Sequence, residues 1–260
     1  MVFCKRSKKP HPRDGPWAWL VCIAATVIFG LSFGYMLSFG VVLPVLSKHF
    51  NSSRGSTAWI GSLAIGFSYL FGPLAVKTID LVNERTVGVC GALLASSIMA
   101  ISSFLNNIII LYFLHGVFLG LCGSFILNSL LLIIRKYFKD KLAVAIGIAS
   151  SGSSFGVLCI GPALHVLIDF LGWRGTFRVM SGVFVIIALL SLTFDPNIQE
   201  DEHTTAITCQ QRDERSSTTR CQGFIDCSIW KSRRYVVGIV TIFLIYFGVL
   251  VPSIHLVSIS

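Results

Sequence analysis

Residues 14–19 read Asp14-Gly15-Pro16-Trp17-Ala18-Trp19 and open the first long apolar stretch of the chain. A basic tail precedes them, and mostly apolar residues follow as far as about residue 46. Tryptophan favours the membrane–water interface because its ring system is amphipathic. We therefore expect Trp17 and Trp19 to lie where the chain enters a lipid bilayer.

The composition excludes an ordinary soluble domain. Hydrophobic residues make up 54% of the chain and charged residues only 13%, whereas about a quarter of a soluble domain is charged. The hydrocarbon core of a bilayer is roughly 30 Å thick, so a helix that crosses it needs about 20 apolar residues. Six stretches meet this requirement and are called spans 1 to 6: residues 17–46, 57–76, 86–104, 108–134, 142–168 and 177–194. A seventh apolar stretch covers residues 235–257.

Polar segments divide the chain into four parts. Residues 1–16 form a cytoplasmic tail, and residues 17–194 hold the six spans. Residues 195–234 are rich in charged and hydroxyl side chains, so they cannot bury enough apolar surface to fold alone. We expect a flexible cytoplasmic loop there. Residues 235–260 then form a seventh transmembrane helix, the start of a missing second half.

The basic residues predict the orientation. With the N-terminus in the cytoplasm, four of the 21 Lys and Arg residues fall outside: Lys48, Arg54, Arg174 and Arg178. The others lie in the tail or in cytoplasmic connections, which agrees with the positive-inside rule. The net charge of +9 does not indicate nucleic-acid binding, because no basic face carries interleaved aromatic residues.

Small residues recur at every fourth position of span 5. One row is Ala143, Gly147 and Ser151, and the other is Gly152 and Gly156. Membrane helices associate by close backbone approach at such positions. Two roles fit this pattern: an interface that slides or rocks during function, and static packing, which the spacing alone favours.

Two segments resemble the signatures of the monocarboxylate transporter family, within the major facilitator superfamily. One opens span 1, and the other joins span 4 to span 5. Their matching residues are Asp14, Gly15, Trp17, Trp19, Tyr137, Phe138, Gly147, Gly152, Ser153 and Gly156. The resemblance implies two six-helix halves around a substrate site near the bilayer midplane. The chain would then be an all-α membrane protein, a six-helix major-facilitator half-bundle plus one additional transmembrane helix.

Three positions depart from the proton-coupled members of that family. Leu37 stands where they carry a lysine, Leu142 replaces an arginine, and Ile146 replaces an asparagine. The acid and the arginine that the family carries in helix 8 correspond to positions after Ser260. Because leucine holds neither a carboxylate nor a proton, these departures disfavour proton-coupled lactate transport. They favour the members that move aromatic amino acids, hormones or other small solutes.

A few polar residues at membrane depth are candidates for the substrate path: Tyr35, Ser38, Asn128 and His255. For Asn128 the alternative role is a hydrogen bond between helices, and Tyr35 and Ser38 have the same standing. His255 matches a recurrent family position and is the best histidine candidate. His115 lies near a helix end and is predicted to be a satisfied polar residue.

The turn between spans 2 and 3 carries Asp80 and Arg85, where the superfamily places its cytoplasmic gate charges. Asn83 lies between them and tolerates the left-handed geometry of a tight turn. Inward-side charge contacts of this kind would hold one access state of a transporter.

No metal cluster, phosphate loop or nucleophile–base pattern occurs in the sequence. We therefore expect neither an enzyme nor a bound metal or cofactor. The eight cysteines are scattered and form no Cys-x-x-Cys motif, which is typical of reduced thiols.

The leading functional hypothesis is a secondary transporter that moves a small organic solute across the plasma membrane by alternating access. The alternative is a truncated half-transporter without transport activity, acting as a fragment or as a modulator of a full-length partner. A seven-helix receptor is disfavoured because it predicts an outside N-terminus.

The expected partners are the lipid bilayer, a small-molecule solute, and a second copy, a missing C-terminal half or a single-span accessory chaperone. An isolated half would expose the small-residue face of span 5 to lipid. We therefore expect the chain to self-associate or to be unstable in detergent.

Overall fold

The computed structural model describes residues 14–52 and 54–194, and every regular element in these ranges is a helix. The elements are α1 (Pro16–Ser38), a 3-10 turn (Phe39–Val41), α2 (Leu43–His49), α3 (Arg54–Leu70), α4 (Gly72–Val82), α5 (Glu84–Ser102), α6 (Ile108–Leu111), a π-helical turn (Tyr112–Phe118), α7 (Leu119–Tyr137) and α8 (Leu142–Ser191). The predicted all-α class is confirmed. The tail before Asp14, the predicted loop over 195–234 and the predicted seventh helix lie outside the described residues.

The six predicted apolar stretches fall largely on the described helices. Four of them are long and apolar enough to cross a membrane: Pro16–Val41, Glu84–Ser102, Ile108–Tyr137 and Leu142–Ser191. Trp59–Leu70 and Gly72–Val82 pass the same test as a pair bent by 51°. The 50 residues of α8 are more than one crossing needs, and Gly172 divides that helix into span 5 and span 6.

Two predicted boundaries were wrong. Span 2 continues past residue 76 to Val82, with its bend just before Pro73. Proline has no backbone N–H and clashes with the preceding turn, so it bends a helix without ending the span. The break predicted between residues 168 and 177 is the single residue Gly172, whose φ of 67° favours glycine.

Spans 1 and 5 meet at a seam of glycines. Gly30 and Gly34 in α1 face Gly152 and Gly156 in α8. A Cβ atom added to Gly156 would lie 2.0 Å from the carbonyl oxygen of Gly30, and one added to Gly152 would lie 2.2 Å from that of Thr26. The two helix backbones therefore touch, which is the close approach that small residues permit.

The other row of small residues in span 5 does not take part in the seam. Ala143, Gly147 and Ser151 are exposed, and a Cβ added to Gly147 would meet nothing within 4 Å. For Gly152 and Gly156 the structure therefore supports static packing within this half of the molecule.

Span 6 packs against span 3 through polar contacts. The hydroxyls of Ser96 and Ser181 lie 3.0 Å apart. Near the end of the bundle where α5 ends, Arg178 Nε donates to Ser103 Oγ at 2.9 Å. The Arg174 guanidinium also donates to Asn106 Oδ1. These bonds hold the 3–4 connection against the start of span 6.

Candidate functional site

A groove of about 430 Å³ runs between spans 1 and 5, beside the glycine seam. Its lining residues are Thr26, Val27, Gly30, Leu31, Ser151, Gly152, Phe155, Gly156, Cys159 and Ile160. This volume lies within the range of small-molecule sites, roughly 300 to 1,000 Å³. The groove is therefore large enough for a solute of drug size or smaller.

The lining of this groove is mostly apolar. The ring of Phe155 is its most prominent side chain, since that residue is 70% exposed. Side-chain polar atoms come from Thr26, Ser151 and Cys159, and the lining residues include no lysine, arginine or histidine. The groove thus presents a ring face and a few hydroxyls, without a fixed positive charge.

A second groove of about 330 Å³ lies on span 2. It is lined by Trp59, Ser62, Leu63, Gly66, Phe67 and Leu70. The side chains are again apolar or aromatic, with Ser62 as the polar member. Of the two grooves, the one between spans 1 and 5 is formed by two helices and has the larger volume.

Tyr35 lies in the core of the bundle and is fully buried. Its hydroxyl lies 3.3 Å from His115 Nε2 and 3.7 Å from Met99 Sδ. The His115 ring lies 4.7 Å from the Phe39 ring and stacks on Phe177 at 5.4 Å, measured between ring centroids. The structure therefore places Tyr35 among the rings of spans 1, 4 and 6, away from the groove.

His115 was predicted to be a satisfied polar residue near a helix end, and the structure gives its Nε2 a partner in the Tyr35 hydroxyl. It is 1% exposed, and among the described residues its Nδ1 has no hydrogen-bond partner. The π-helical turn from Tyr112 to Phe118 carries it. Such turns widen a helix and frequently occur at functional sites, and this one holds a polar ring inside an aromatic cluster.

The other candidates for the substrate path are Ser38, Asn128 and His255. Ser38 is buried at the end of α1, and its hydroxyl has no hydrogen-bond partner within the described part of the chain. Asn128 is half-buried, and its amide donates to the carbonyl of Ser124 at 2.9 Å, within its own helix. His255 falls outside the described residues.

The two family signatures contact each other at one end of the bundle. The backbone N–H of Asp14 donates to the Tyr137 carbonyl at 3.0 Å. Asp14 Oδ2 accepts long bonds of 3.4 Å from the backbone N–H groups of Lys139 and Asp140. The signatures therefore tie the start of span 1 to the turn between spans 4 and 5.

The tryptophans of the first signature belong to the same contact region. Trp19 packs edge-on against Phe138, with ring centroids 5.2 Å apart. Trp17 and Trp19 are both half-buried against the core. In the second signature Gly152 and Gly156 form the glycine seam, whereas Gly147 is exposed and Ser153 is half-buried.

At the turn between spans 2 and 3 the ion pair joins Lys136 to Glu84, with Nζ 2.6 Å from Oε1. Asp80 is exposed and Arg85 half-buried. The Glu84 side chain is 7% exposed and that of Lys136 is 44% exposed. Asn83 has a φ of 129°, in agreement with its predicted role in the turn.

Sequence reasoning singled out Ser151, Gly152 and Gly156 of span 5 but missed the groove that they line, the His115 contact and Glu84. A signal for the groove existed, because Gly30 and Gly34 in span 1 repeat the four-residue spacing of Gly152 and Gly156. Two such pairs predict a close crossing. No comparable signal marks His115 or Glu84, since a lone buried polar residue has no periodic partner.

The comparison with known families decides the class of this bundle. The model of the Major Facilitator Superfamily matches residues 17–259. The chain belongs to the Major Facilitator Superfamily. The predicted major-facilitator fold is thereby confirmed.

Similar superfamily members are named as monocarboxylate transporters, which confirms the resemblance. Monocarboxylate transporter 11 of Homo sapiens is 33% identical over 66% of this chain and 36% of its own length. Monocarboxylate transporter 3 of Gallus gallus is 28% identical over 95% of the chain and 50% of its own length. Monocarboxylate transporter 10 of Danio rerio is 28% identical over 98% of the chain and 50% of its own length. The chain therefore spans half or less of these relatives, whose names are those of transporters and not of enzymes.

Proposed function

We propose that this chain is part of a secondary transporter that moves a small organic solute across the plasma membrane by alternating access. The support is its membership of the superfamily together with the solute-sized groove between spans 1 and 5. The groove is the observation that carries the proposal. It opens away from the core of the described helices, so a second group of helices can close it.

The membrane is the proposed first partner. Many large apolar side chains of the described residues face outward, among them Ile23, Leu81, Leu158 and Phe170, which are 64% to 83% exposed. An exposed apolar surface of this extent is a liability in water and is typical of a face against lipid. The N-terminus is proposed to be cytoplasmic, and an accessory single-span protein is a further proposed partner.

Uptake into proteoliposomes tests the transport proposal. The 260-residue chain is reconstituted and given labelled lactate, pyruvate, aromatic amino acids and creatine. Saturable uptake of one compound, absent from empty liposomes, is the expected result. If none is taken up, a second half is added, and restored uptake identifies the chain as a half-transporter that needs a partner.

The alternative function, a half-transporter that modulates a full-length partner, has its own support. The open row of Ala143, Gly147 and Ser151 offers small residues for close approach of another helix. Co-expression with a full-length relative would then change that relative's uptake, and crosslinking through span 5 would capture the pair. Absence of both effects would exclude the modulator.

The orientation has a separate test. An epitope placed before Asp14 is expected to be labelled by antibody only after the cells are permeabilised. Labelling of intact cells would overturn the proposed cytoplasmic N-terminus, whatever the uptake assay gives.

A further inference from the structure

Two arginines at the start of span 6 bond to the connection between spans 3 and 4. Arg178 Nε donates to Ser103 Oγ at 2.9 Å, and the Arg174 guanidinium donates to Asn106 Oδ1. The guanidinium carbon of Arg178 also lies 5.1 Å from the centroid of the Phe104 ring. Residues four apart are neighbours on a helix surface, so the two cations lie together against one short connection.

Both guanidinium groups keep most of their hydrogen-bond donors. An arginine side chain has five N–H donors in a planar fork. Within the described residues, Arg174 and Arg178 bond to a neutral amide and a neutral hydroxyl and form no ion pair. Arg174 is half-buried and Arg178 is exposed, so a ligand can reach both. The arginine fork matches phosphate oxygens in bidentate geometry, which makes a phosphate group a fitting ligand for the pair.

The length of α5 places this pair at the level of lipid headgroups. The helix has 19 residues, from Glu84 to Ser102, and is therefore roughly 28 Å long, close to the thickness of the hydrocarbon core. Its first residue forms the ion pair with Lys136, and the residue after its last one accepts the bond from Arg178. The charged groups thus lie at the two ends of a membrane-length helix.

An apolar face extends from the arginines along spans 3 and 6. Ser96 pairs with Ser181 and Ser103 with Arg178, so the two helices are antiparallel. Positions at the same rotation from the Ser96–Ser181 contact therefore point to one side of the pair. The exposed residues on that side include Leu94, Ile101 and Phe104 of span 3 and Gly182, Val185, Ile186 and Leu189 of span 6. Cations at one end and apolar side chains below them match the polarity of a phospholipid.

We propose that Arg174 and Arg178 bind the phosphate group of a phospholipid whose acyl chains lie along the apolar face of spans 3 and 6. This headgroup site goes beyond the proposed transport function. It lies on a different pair of helices from the groove between spans 1 and 5, and it requires no transport.

Native mass spectrometry of the full chain in detergent measures the binding. Dioleoylphosphatidate and dioleoylglycerol are the matched probes, because they differ only in the phosphate group. We expect dioleoylphosphatidate to reach half-occupancy at about tenfold lower concentration, the ratio that roughly 1.4 kcal/mol gives. Equal binding of the two lipids would overturn the proposal. Displacement of bound dioleoylphosphatidate by an equal concentration of inorganic phosphate would also overturn it, because the acyl chains would then contribute nothing.

Two double variants with the same loss of charge locate the site. Arg174→Gln with Arg178→Gln should raise the half-occupancy concentration of dioleoylphosphatidate by about tenfold or more. Arg135→Gln with Lys141→Gln removes two exposed basic residues near the opposite end of the bundle and should leave that concentration unchanged. Equal losses in the two double variants would mean that net charge alone attracts the lipid, and would overturn the proposal.

Single variants separate the ligand from the local packing. Ser103→Ala removes the bond to Arg178 but leaves its guanidinium, so binding should be retained, whereas Arg178→Gln should weaken it. Arg178→Lys keeps the charge without the planar fork, and intermediate binding is expected. Loss of binding in Ser103→Ala equal to that in Arg178→Gln would assign the effect to the 3–4 connection and overturn the proposal.

A protein partner on the same face gives a different result. If a single-span accessory protein co-purifies with the chain but not with the double glutamine variant, while both bind dioleoylphosphatidate equally, the face belongs to that protein and the proposal fails. The lipid assay and the uptake assay fail independently. Lipid binding without uptake leaves the headgroup site standing, and saturable uptake with no phosphate preference leaves transport standing alone.

Discussion

The two faces of span 5 carry small residues at the same spacing, yet they have opposite environments. On one face Gly152 and Gly156 touch the backbone of span 1. On the other face Gly147 has no neighbour within 4 Å of where a Cβ would be, and Ser151 is exposed. Residues 151 and 152 differ by one position, about 100° around a helix with 3.6 residues per turn. That rotation separates the row that touches span 1 from the row that is open, although Gly152 and Gly156 also line the groove.

The contrast shows that the residue type does not set the role of a small residue in a membrane helix. The role of a small residue depends on whether the backbone of a second helix lies opposite it. The same distinction separates the polar residues: Tyr35 and His115 are enclosed by rings, whereas the hydroxyls of Thr26 and Ser151 border an opening. Substitutions on the closed side should therefore change stability, and those on the open side should change binding.

The largest effect is expected from Gly156→Ala. Its new Cβ would be 2.0 Å from the Gly30 carbonyl oxygen, so the two backbones must separate, at a cost of about 3 kcal/mol. Gly147→Ala is the matched control on the open face and should change the free energy of unfolding by less than about 0.5 kcal/mol. SDS-induced unfolding in mixed micelles measures both. Equal effects would show that the seam does not hold spans 1 and 5 together.

Substituting the two partners of the Glu84–Lys136 ion pair should cost unequal amounts of stability, because one partner is buried and the other is half-exposed. Lys136→Met leaves the Glu84 carboxylate buried without a cation and should cost about 2 kcal/mol. Glu84→Gln leaves a lysine that water can reach, so about 1 kcal/mol or less is expected. SDS-induced unfolding in mixed micelles compares the two variants. A larger loss from Glu84→Gln would contradict the burial of that carboxylate.

A smaller effect is expected inside the ring cluster. Tyr35→Phe removes the hydroxyl that lies 3.3 Å from His115 Nε2, so a buried imidazole loses its partner at a cost of about 1 kcal/mol. In the background of His115→Phe the same change should cost less, because no nitrogen is left unpaired. The double-mutant cycle measures this coupling. Strict additivity would mean that the two side chains do not interact.

The smallest effect on stability is expected from Phe155→Ala, because that ring is 70% exposed beside the groove. The free energy of unfolding should change by less than about 0.5 kcal/mol. Phe177→Ala is the control on the closed side, where a fully buried ring is removed and about 3 kcal/mol or more is lost. A large loss from Phe155→Ala would mean that the groove is closed by packing.

Several features of this fold followed from the sequence with little ambiguity. The long apolar stretches predicted the helices, because a bilayer sets the length of an element that crosses it. The two signatures predicted the family, and the match over residues 17–259 confirms that family. Asn83 was predicted in a turn and has positive φ there.

Other features could not be predicted because they depend on which helix lies opposite. The bend before Pro73 left span 2 continuous, since neighbouring helices tolerate a local break. Tyr35 and Asn128 were chosen as substrate-path candidates without knowledge of the helices opposite them. Tyr35 then proved to be buried among rings, and Asn128 donates within its own helix.

The sequence by itself determined that this protein is a helical membrane protein of its superfamily, because hydrophobic length and signature residues are local properties of the chain. Only the tertiary structure decided which glycines meet, where the groove opens, and that Glu84 pairs with Lys136. Each of these depends on the distance between groups on different helices, and a pattern along one helix does not contain that distance.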